Sequence, residues 1–321
     1  MHFNRRMILR DAALGGLLLA CRQALLANQR IPQRPSARVI VDNDFAGDPD
    51  GLVGLAHQLL SPKTVVPLIT VSGLDRNLGG ETGSTVVPGA EAAAETVQRL
   101  SLDHTPPIAS GHELGVRGQE PSDAARAIVA EAMREDALPL YFSCGGPLTN
   151  LAEALALEPA ITARMTLIWI GGGGYPDGGW EYNLSADADA ARHVIESSAM
   201  PVWQIPLPAY RLMQVSVAEM EADMMPISDF TRWLYARFTN PPAFFDLGGS
   251  WPMGDSPAIL LTAISAESSR YSDLPARRIN PDLSYGEEIP GRTVRVFDDL
   301  DLRLTWADFL AKLRLHAART G

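Results

Sequence analysis

Short runs of apolar, mostly β-branched residues alternate with longer amphipathic stretches along most of this chain. Five of these runs have the length and composition of buried strands, at residues 38–41, 65–71, 138–142, 165–170 and 202–205. Helix-like stretches lie near residues 51–60, 88–100, 122–134, 148–157 and 187–197. The alternation predicts an α/β fold, with a doubly wound, mostly parallel sheet and helices on both faces.

The polar, proline-rich residues 28–37 read as a linker that precedes the folded part. The chain has 321 residues, of which 46% are hydrophobic, and such a chain can bury one large core. We therefore expect a single catalytic domain over residues 38–321.

The first 27 residues have the features of an export signal. Arg5 and Arg6 form a twin-arginine pattern, and a small, apolar stretch at 12–20 follows that is too short to span a bilayer. We expect an exported protein that is periplasmic or otherwise extracytoplasmic. Cys21 follows a loose lipoprotein-type site, which leaves a lipid anchor at Cys21 open. The other cysteine, Cys144, is predicted to be a buried, unpaired side chain.

The charge composition excludes one class of partner. The formal net charge is -11, and the only lysines are Lys63 and Lys312. Because phosphate backbones are bound by clustered basic residues, no nucleic-acid partner is expected. The composition favours a small-molecule partner.

Polar residues follow several of the predicted strands. In doubly wound sheets, ligands bind beyond the carboxyl ends of the strands. The first strand is followed by DNDFAGDPD at 42–50, the strand at 138–142 by GGPLTN at 145–150, and the strand at 165–170 by four glycines at 171–174. The predicted ligand site therefore lies at this edge of the sheet.

Four carboxylates within nine residues repel one another unless a cation lies among them. Asp42, Asp44, Asp48 and Asp50 supply only oxygen ligands, which suits calcium with its flexible coordination. A solvated loop with Asp48 as helix N-cap and Pro49 at the first helical position is the structural alternative. That alternative leaves Asp42 and Asp44 unexplained.

Two other motifs share part of this spacing. An EF-hand loop that starts at Asp42 needs an oxygen ligand at its fifth position and Glu at its twelfth, where the chain has Ala46 and Val53. A haloacid-dehalogenase-type phosphatase needs a downstream lysine, and neither Lys63 nor Lys312 follows a predicted strand. Neither motif accounts for the segment.

The order of the polar segments resembles the inosine/uridine-preferring nucleoside hydrolase family. The first segment is similar to that family's D-x-D-P-G-x-D-D motif, and PLITVSG at 67–73 to its second strand. Residues 145–150 resemble its G-P-L-T-N turn, and residues 168–174 its M-G-G-G turn. EYN at 181–183 resembles E-F-N, DADAA at 187–191 resembles D-P-E-A-A, and GDSP at 254–257 resembles the segment that contains H-D-P. The common order of these segments makes the resemblance specific.

The resemblance implies a fold, a reaction and a set of residues. The implied reaction is calcium-dependent hydrolysis of the N-glycosidic bond of a nucleoside or related riboside. The implied Ca2+ ligands are Asp44, Asp50, the carbonyl of Gly145 and Asp255, and the implied base is Asp48. The implied substrate contacts are Glu181, Asn183, Asn77 and Trp180. Similar proteins form oligomers, which leaves a homo-oligomer open for this chain.

The chain departs from the family pattern at several of these positions. Aligning the helix that follows places Asp50 at the base position and Gly51 at a ligand position, so the base is Asp48 or Asp50. Leu74 stands where an asparagine is expected, which leaves Asn77 as the nearest candidate. A calcium-dependent sugar- or nucleoside-binding protein without turnover is therefore the alternative function.

Gly254 stands where the family has a histidine that protonates the leaving base. A positioned proton donor typically supplies about 10²–10⁴ in rate. The absence of this donor predicts that an activated riboside is cleaved faster than a natural nucleoside, unless Tyr182, Tyr210 or His112 replaces the acid.

Overall fold

One twisted sheet runs through the centre of the molecule. The structure is a computed structural model that describes residues 31–78, 83–116, 120–239 and 248–320. Its strands are β1 (Ala37–Asn43), β2 (Thr64–Val71), β3 (Ile108–Ser110), β4 (Leu140–Cys144), β5 (Met165–Ile170), β6 (Val202–Ile205), β7 (Gln214–Ser216), β8 (Ser250–Pro252), β9 (Arg270–Ile279) and β10 (Tyr285–Asp299). The predicted export signal, including Arg5, Arg6 and Cys21, lies outside the described residues.

In the described part of the chain, eight of these strands form a single sheet in the order β3-β2-β1-β4-β5-β6-β10-β9. Every neighbouring pair is parallel except β9 and β10, which form an antiparallel pair at one edge. The short strands β7 and β8 pair separately. The predicted mostly parallel, doubly wound sheet is confirmed.

The helices cover both faces of the sheet. They are α1 (Asp50–Leu59), α2 (Val86–Leu100), α3 (Asp123–Met133), α4 (Thr149–Leu157), α5 (Tyr182–Ala186), α6 (Ala188–Ser197), α7 (Leu207–Tyr210), α8 (Val217–Glu219), α9 (Asp229–Arg237), α10 (Pro257–Ile259) and α11 (Leu302–Thr320). Shorter 3-10 and π turns lie at Arg76–Leu78, Pro159–Ala163, Met220–Met224, Met225–Ile227 and Leu260–Ile264. None of the helices in the described residues is long and apolar enough to cross a lipid bilayer.

The central strand β1 shows why the sheet needs two helical layers. All seven of its residues are buried, and successive side chains point to opposite faces. Val39 and Val41 pack with α1, α2, α9 and α11, whereas Ile40 packs with α3, α4 and α6. A strand without a solvent-exposed face reads as a continuous apolar run, and this pattern made β1 recognisable.

The antiparallel hairpin of β9 and β10 was not among the predicted strands. Most of its residues are exposed or half-buried, so neither strand carries a long apolar run. Only Arg295 and Val296 of β10 pair with β6. The five predicted strands and five predicted helices all occur, with ends shifted by no more than two residues.

Candidate active site

The carboxyl ends of the central strands bring the polar segments together. Asp42 lies beside Cys144 in the register of β1 and β4, and Cys144 lies beside Trp169 of β5. The backbone N–H of Gly145 then donates to the carbonyl of Asp42 over 3.0 Å. The three segments that were predicted to form one site therefore leave the sheet at the same edge.

Asp42 is a buried residue that links neighbouring strands at this edge of the sheet. Its Oδ2 accepts hydrogen bonds from Thr70 (2.6 Å) and Asn150 (2.8 Å), and its Oδ1 accepts from Ser72 (3.1 Å) and from the buried thiol of Cys144. Burial raises the pKa of Asp42 to about 6, although these donors favour the charged form. With both oxygens occupied, Asp42 joins β1, β2 and β4 and is not free to bind a ligand.

The other carboxylates line the turn that leads into α1 and the segment before α10. The N-cap of α1 is Pro49 and its first residue is Asp50, so Asp48 does not cap the helix. Asp48 lies on the exposed side of the turn, and Asp50 is buried. The carboxyls of Asp48 and Asp50 are close neighbours, and the charge of Asp48 raises the pKa of Asp50.

Asp50 and Asp255 connect the two ends of the site. The backbone N–H of Asp255 donates to Oδ2 of Asp50 over 3.1 Å, and Nδ2 of Asn43 donates to Oδ2 of Asp255 over 2.8 Å. Oδ1 of Asp50 is buried and has no hydrogen-bond partner among the described residues. A buried carboxylate oxygen without a donor is costly, and a bound cation would satisfy it.

The cluster is electrostatically unbalanced. Burial raises the pKa of Asp44, of Asp50 and of Asp255, and repulsion from neighbouring carboxylates raises these pKa values further. The pKa of Asp255 rises to about 8 despite the hydrogen bond from Asn43. Burial likewise raises the pKa of Asp48, although this residue faces solvent and the effect is correspondingly smaller.

Gly145 lies so close to this cluster that no side chain fits. A Cβ atom at this position would lie 2.7 Å from Cγ and Oδ1 of Asp255 and would collide with Nδ2 of Asn43. The carbonyl oxygen of Gly145 accepts from Nδ2 of Asn183 over 3.2 Å. Glycine here lets the backbone of the β4–α4 turn approach Asn43 and Asp255 closely.

The arrangement suits a hard cation but does not form a complete coordination shell. Among the described residues, no three Asp, Glu, His or Cys side chains converge with metal-binding geometry. The atoms available as metal ligands are all oxygens, however. They include the unpartnered Oδ1 of Asp50 and belong in part to three carboxylates with raised pKa values. This chemistry fits an oxygen-liganded divalent ion such as calcium.

Glu181 and Asn183 lie next to the cluster at the end of β5. Nδ2 of Asn183 donates to the carbonyls of Gly145 and Ile170, at 3.2 and 2.9 Å. Glu181 is the N-cap of α5 and is fully buried. Both of its oxygens accept hydrogen bonds within the protein. The structure therefore places both residues at the site, with Glu181 oriented inward.

Asn77 and Trp180 are both exposed. Asn77 lies on the 3-10 turn at Arg76–Leu78, and no hydrogen bond joins it to the carboxylate cluster. Leu74, at the position where an asparagine was expected, is buried. It lies so near Gly47 that a Cβ atom added to Gly47 would be 3.3 Å from Cδ2 of Leu74. Trp180 is 66% exposed next to the buried Glu181.

Several polar residues that support the site were not predicted. Asn43 holds Asp255, and Asn150, Thr70 and Ser72 hold Asp42. All four lie in segments that resemble family motifs, but no role was assigned to them. Tyr210, considered only as a substitute acid, donates a hydrogen bond to Glu181. The pairings of Asn43 with Asp255 and of Asn150 with Asp42 span more than a hundred residues and depend on sheet order.

The fold and the site together define an α/β protein with an acidic, cation-compatible pocket at the carboxyl ends of a parallel sheet. The family model for inosine-uridine preferring nucleoside hydrolases matches residues 39–277. The chain belongs to this family.

Among relatives, the pyrimidine-specific ribonucleoside hydrolase RihA of Salmonella typhimurium is 27% identical over 211 residues. The match covers 57% of this chain and 64% of that relative, so the chain spans less than two thirds of the relative's length. The RihA protein of Salmonella enteritidis is 31% identical over the same length.

Solved structures show the same fold. The inosine-uridine preferring nucleoside hydrolase from Bacillus anthracis superposes with a TM-score of 0.66 and 19% identity, covering 87% of this chain and 99% of that one. A plant nucleoside hydrolase has a TM-score of 0.69 and 17% identity, with the same coverage of both chains.

Proposed function

We propose that this protein hydrolyses the N-glycosidic bond of nucleosides or related ribosides and releases ribose and a base. The observation that carries the proposal is the cluster of Asp44, Asp48, Asp50 and Asp255 at the ligand-binding edge of the sheet. Cleavage of such a bond builds positive charge on the sugar, and a carboxylate-lined pocket stabilises that charge. Family membership and the names of the relatives support a nucleoside as the substrate.

Asp48 is our choice for the general base. It lies on the open side of the turn, whereas Asp50 is buried and already accepts the N–H of Asp255. In hydrolysis the oxygen of water bonds to C1′, one of its protons passes to Asp48, and the electrons of the broken bond leave with the base. The contact between the two carboxyls allows Asp50 to modulate the proton affinity of Asp48.

We assign calcium to the same pocket, held by Asp44, Asp50, the carbonyl of Gly145 and Asp255. When bound, this ion would offset the carboxylate charge and attract the vicinal hydroxyls of ribose. Asn43 and Asn183 support this assignment because they position Asp255 and the Gly145 carbonyl. Trp180, exposed at the rim, is suited to stack on the base of the substrate.

Ribose release from a panel of nucleosides tests the activity. The panel should contain inosine, uridine and p-nitrophenyl riboside, and the p-nitrophenyl compound should react fastest because Gly254 supplies no proton donor. Glu135→Gln is a suitable control variant, since that side chain is 85% exposed. Binding of the panel without release of ribose would favour a sugar- or nucleoside-binding protein instead.

Thermal unfolding with and without calcium tests the metal. A ligand that binds only the folded state stabilises it by about 2.7 kcal/mol at 100 times its Kd. We expect chelated wild-type protein to gain a comparable amount on calcium addition, and Asp50→Asn and Asp255→Asn to lose most of the gain. Glu135→Gln should respond like wild type. The absence of any calcium shift in chelated wild type would refute the assignment.

We also propose that the precursor is exported through its twin arginines. Arg5→Lys combined with Arg6→Lys should retain the precursor in the cytoplasm, because the pair is the recognised element of such signals. Cell fractionation measures this, and an unchanged periplasmic yield would contradict it. Fatty-acid labelling of wild type and of Cys21→Ser distinguishes a lipid anchor from a cleaved, soluble product.

A further inference from the structure

The hydrogen bonds of Glu181 leave it no acceptor for a ligand. Its Oε2 accepts the backbone N–H groups of Gly172 (2.7 Å) and Leu184 (2.8 Å), and its Oε1 accepts the N–H of Asn183 (3.1 Å). The fourth donor is the hydroxyl of Tyr210, at 2.7 Å from Oε1. An ionised carboxylate has about four acceptor positions, so all of them are used.

Tyr210 reaches this position from α7, directly after β6. A Cβ atom on Gly254 would lie 3.1 Å from Cδ2 of Tyr210 and 3.5 Å from Oδ2 of Asp50. The ring therefore fills the space beside Gly254, between Glu181 and the carboxylate cluster. Tyr210 is only half-buried, whereas Glu181 is completely buried. Of the two residues, only Tyr210 remains partly accessible to solvent.

We propose that Tyr210 contacts a sugar hydroxyl of the ligand and that Glu181 acts through it as a positioning residue. The inference rests on the proposed nucleoside hydrolase function. It makes Tyr210 a specificity-determining residue of the pocket, in a place where the chain has no side chain at position 254.

The chemistry of the phenol suits this role. Because the hydroxyl of Tyr210 donates its hydrogen bond to Glu181, its oxygen keeps lone pairs that can accept a hydrogen bond from a ligand hydroxyl. The donation to a carboxylate polarises the phenol and strengthens the bond that it accepts. Burial and the charges of Glu181, Asp255 and Asp50 raise the pKa of Tyr210, so the phenol stays protonated.

Gly254 is part of the same arrangement. A methyl group at this position would press on the Tyr210 ring, and a larger side chain would displace it. The small residue at 254 and the large residue at 210 therefore fill one shared volume. His112, by contrast, contacts the Glu120 carbonyl and Glu153, and no contact joins it to Glu181.

Substrate analogues that each lack one hydroxyl test the contact. The experiment measures KM, kcat and Kd for uridine and its 2′-, 3′- and 5′-deoxy analogues with wild type and Tyr210→Phe. We expect Tyr210→Phe to raise the Kd for uridine about 3- to 10-fold, as for one lost hydrogen bond. For the one analogue without the contacted hydroxyl, wild type and Tyr210→Phe should bind equally.

The alternatives give different results. If Tyr210 only supports the fold, Tyr210→Phe weakens all four ligands by the same factor, and the proposal is overturned. If Glu181 itself contacts the ligand after Tyr210 withdraws, Tyr210→Phe binds uridine more tightly, which also overturns it. Tyr271→Phe, on the exposed edge strand β9, is the control and should match wild type.

A different experimental result would contradict the proposed function. Wild-type protein that neither binds nor cleaves any of the four ligands would contradict the nucleoside hydrolase assignment itself. Wild-type protein that binds uridine, with Tyr210→Phe unchanged for every ligand, would contradict only the role of Tyr210.

Discussion

The charged residues at the two ends of β1 differ in whether oppositely charged side chains lie beside them. At the amino end, Arg38 is buried, forms an ion pair with Glu131 and lies 3.7 Å from Asp136. At the carboxyl end, Asp44 and Asp50 lie near Asp255 and have no basic partner among the described residues. One end is neutralised by the protein itself, whereas the proposed function assigns a bound cation to the other.

This difference separates a structural cluster from a functional one. Arg134 adds a second cation to the amino end by pairing with Glu131 and Asp136 at 2.8 and 2.7 Å. Asp42 shows that the carboxyl end can also hold a satisfied carboxylate, because four donors surround it. The unsatisfied carboxylates next to it are therefore not a general property of this edge of the sheet, and they support the proposed binding site.

The largest expected effect is on catalysis at the carboxyl end. Asp48→Asn should lower kcat about 10²–10⁴-fold, the usual contribution of a general base, with little loss of stability because a repelling charge is removed. Steady-state kinetics and thermal unfolding of the same variant measure both. A variant that keeps wild-type kcat would exclude Asp48 as base and direct attention to Asp50.

The next effect is on stability at the amino end. Arg38→Met leaves Glu131 and Asp136 without their buried partner, although Arg134 remains, and should cost about 3 kcal/mol of unfolding free energy. Arg270→Met breaks an exposed pair and should cost under about 1 kcal/mol. Denaturant unfolding measures the loss. If the Arg38 variant also abolishes the calcium response, the two ends of β1 are not independent.

A third effect is the pH dependence of the metal-free protein. The folded state raises the pKa of Asp255 from 3.8 to about 8, so it binds protons more tightly than the unfolded chain. This contribution to stability is present at low pH and is lost as pH rises through the folded pKa.

In the presence of chelator, the midpoint temperature of thermal unfolding should therefore fall as the pH rises from about 5 to about 8. Asp255→Asn should flatten that slope, because the group no longer titrates, and calcium should flatten it by favouring the charged form. A midpoint that rises with pH in chelated wild type would show that the carboxylates are already neutralised without metal.

The sequence by itself determined the parallel core and the place of the site. Strands buried on both faces, such as β1 and β5, must be continuous in apolar residues, and the polar residues after them must lie at one edge. The exposed hairpin of β9 and β10 could not be recognised because solvent on one face removes that constraint.

Tertiary structure alone decided which side chains face the ligand and which support them. Glu181 and Tyr210 are 29 residues apart, and Asn43 and Asp255 are 212 apart, so their hydrogen bonds depend on strand order and helix packing. The inward turn of Glu181 follows from its role as N-cap of α5, where three backbone N–H groups hold it. Local sequence specifies residue types and spacing, whereas burial and partnership arise only when distant segments share one volume.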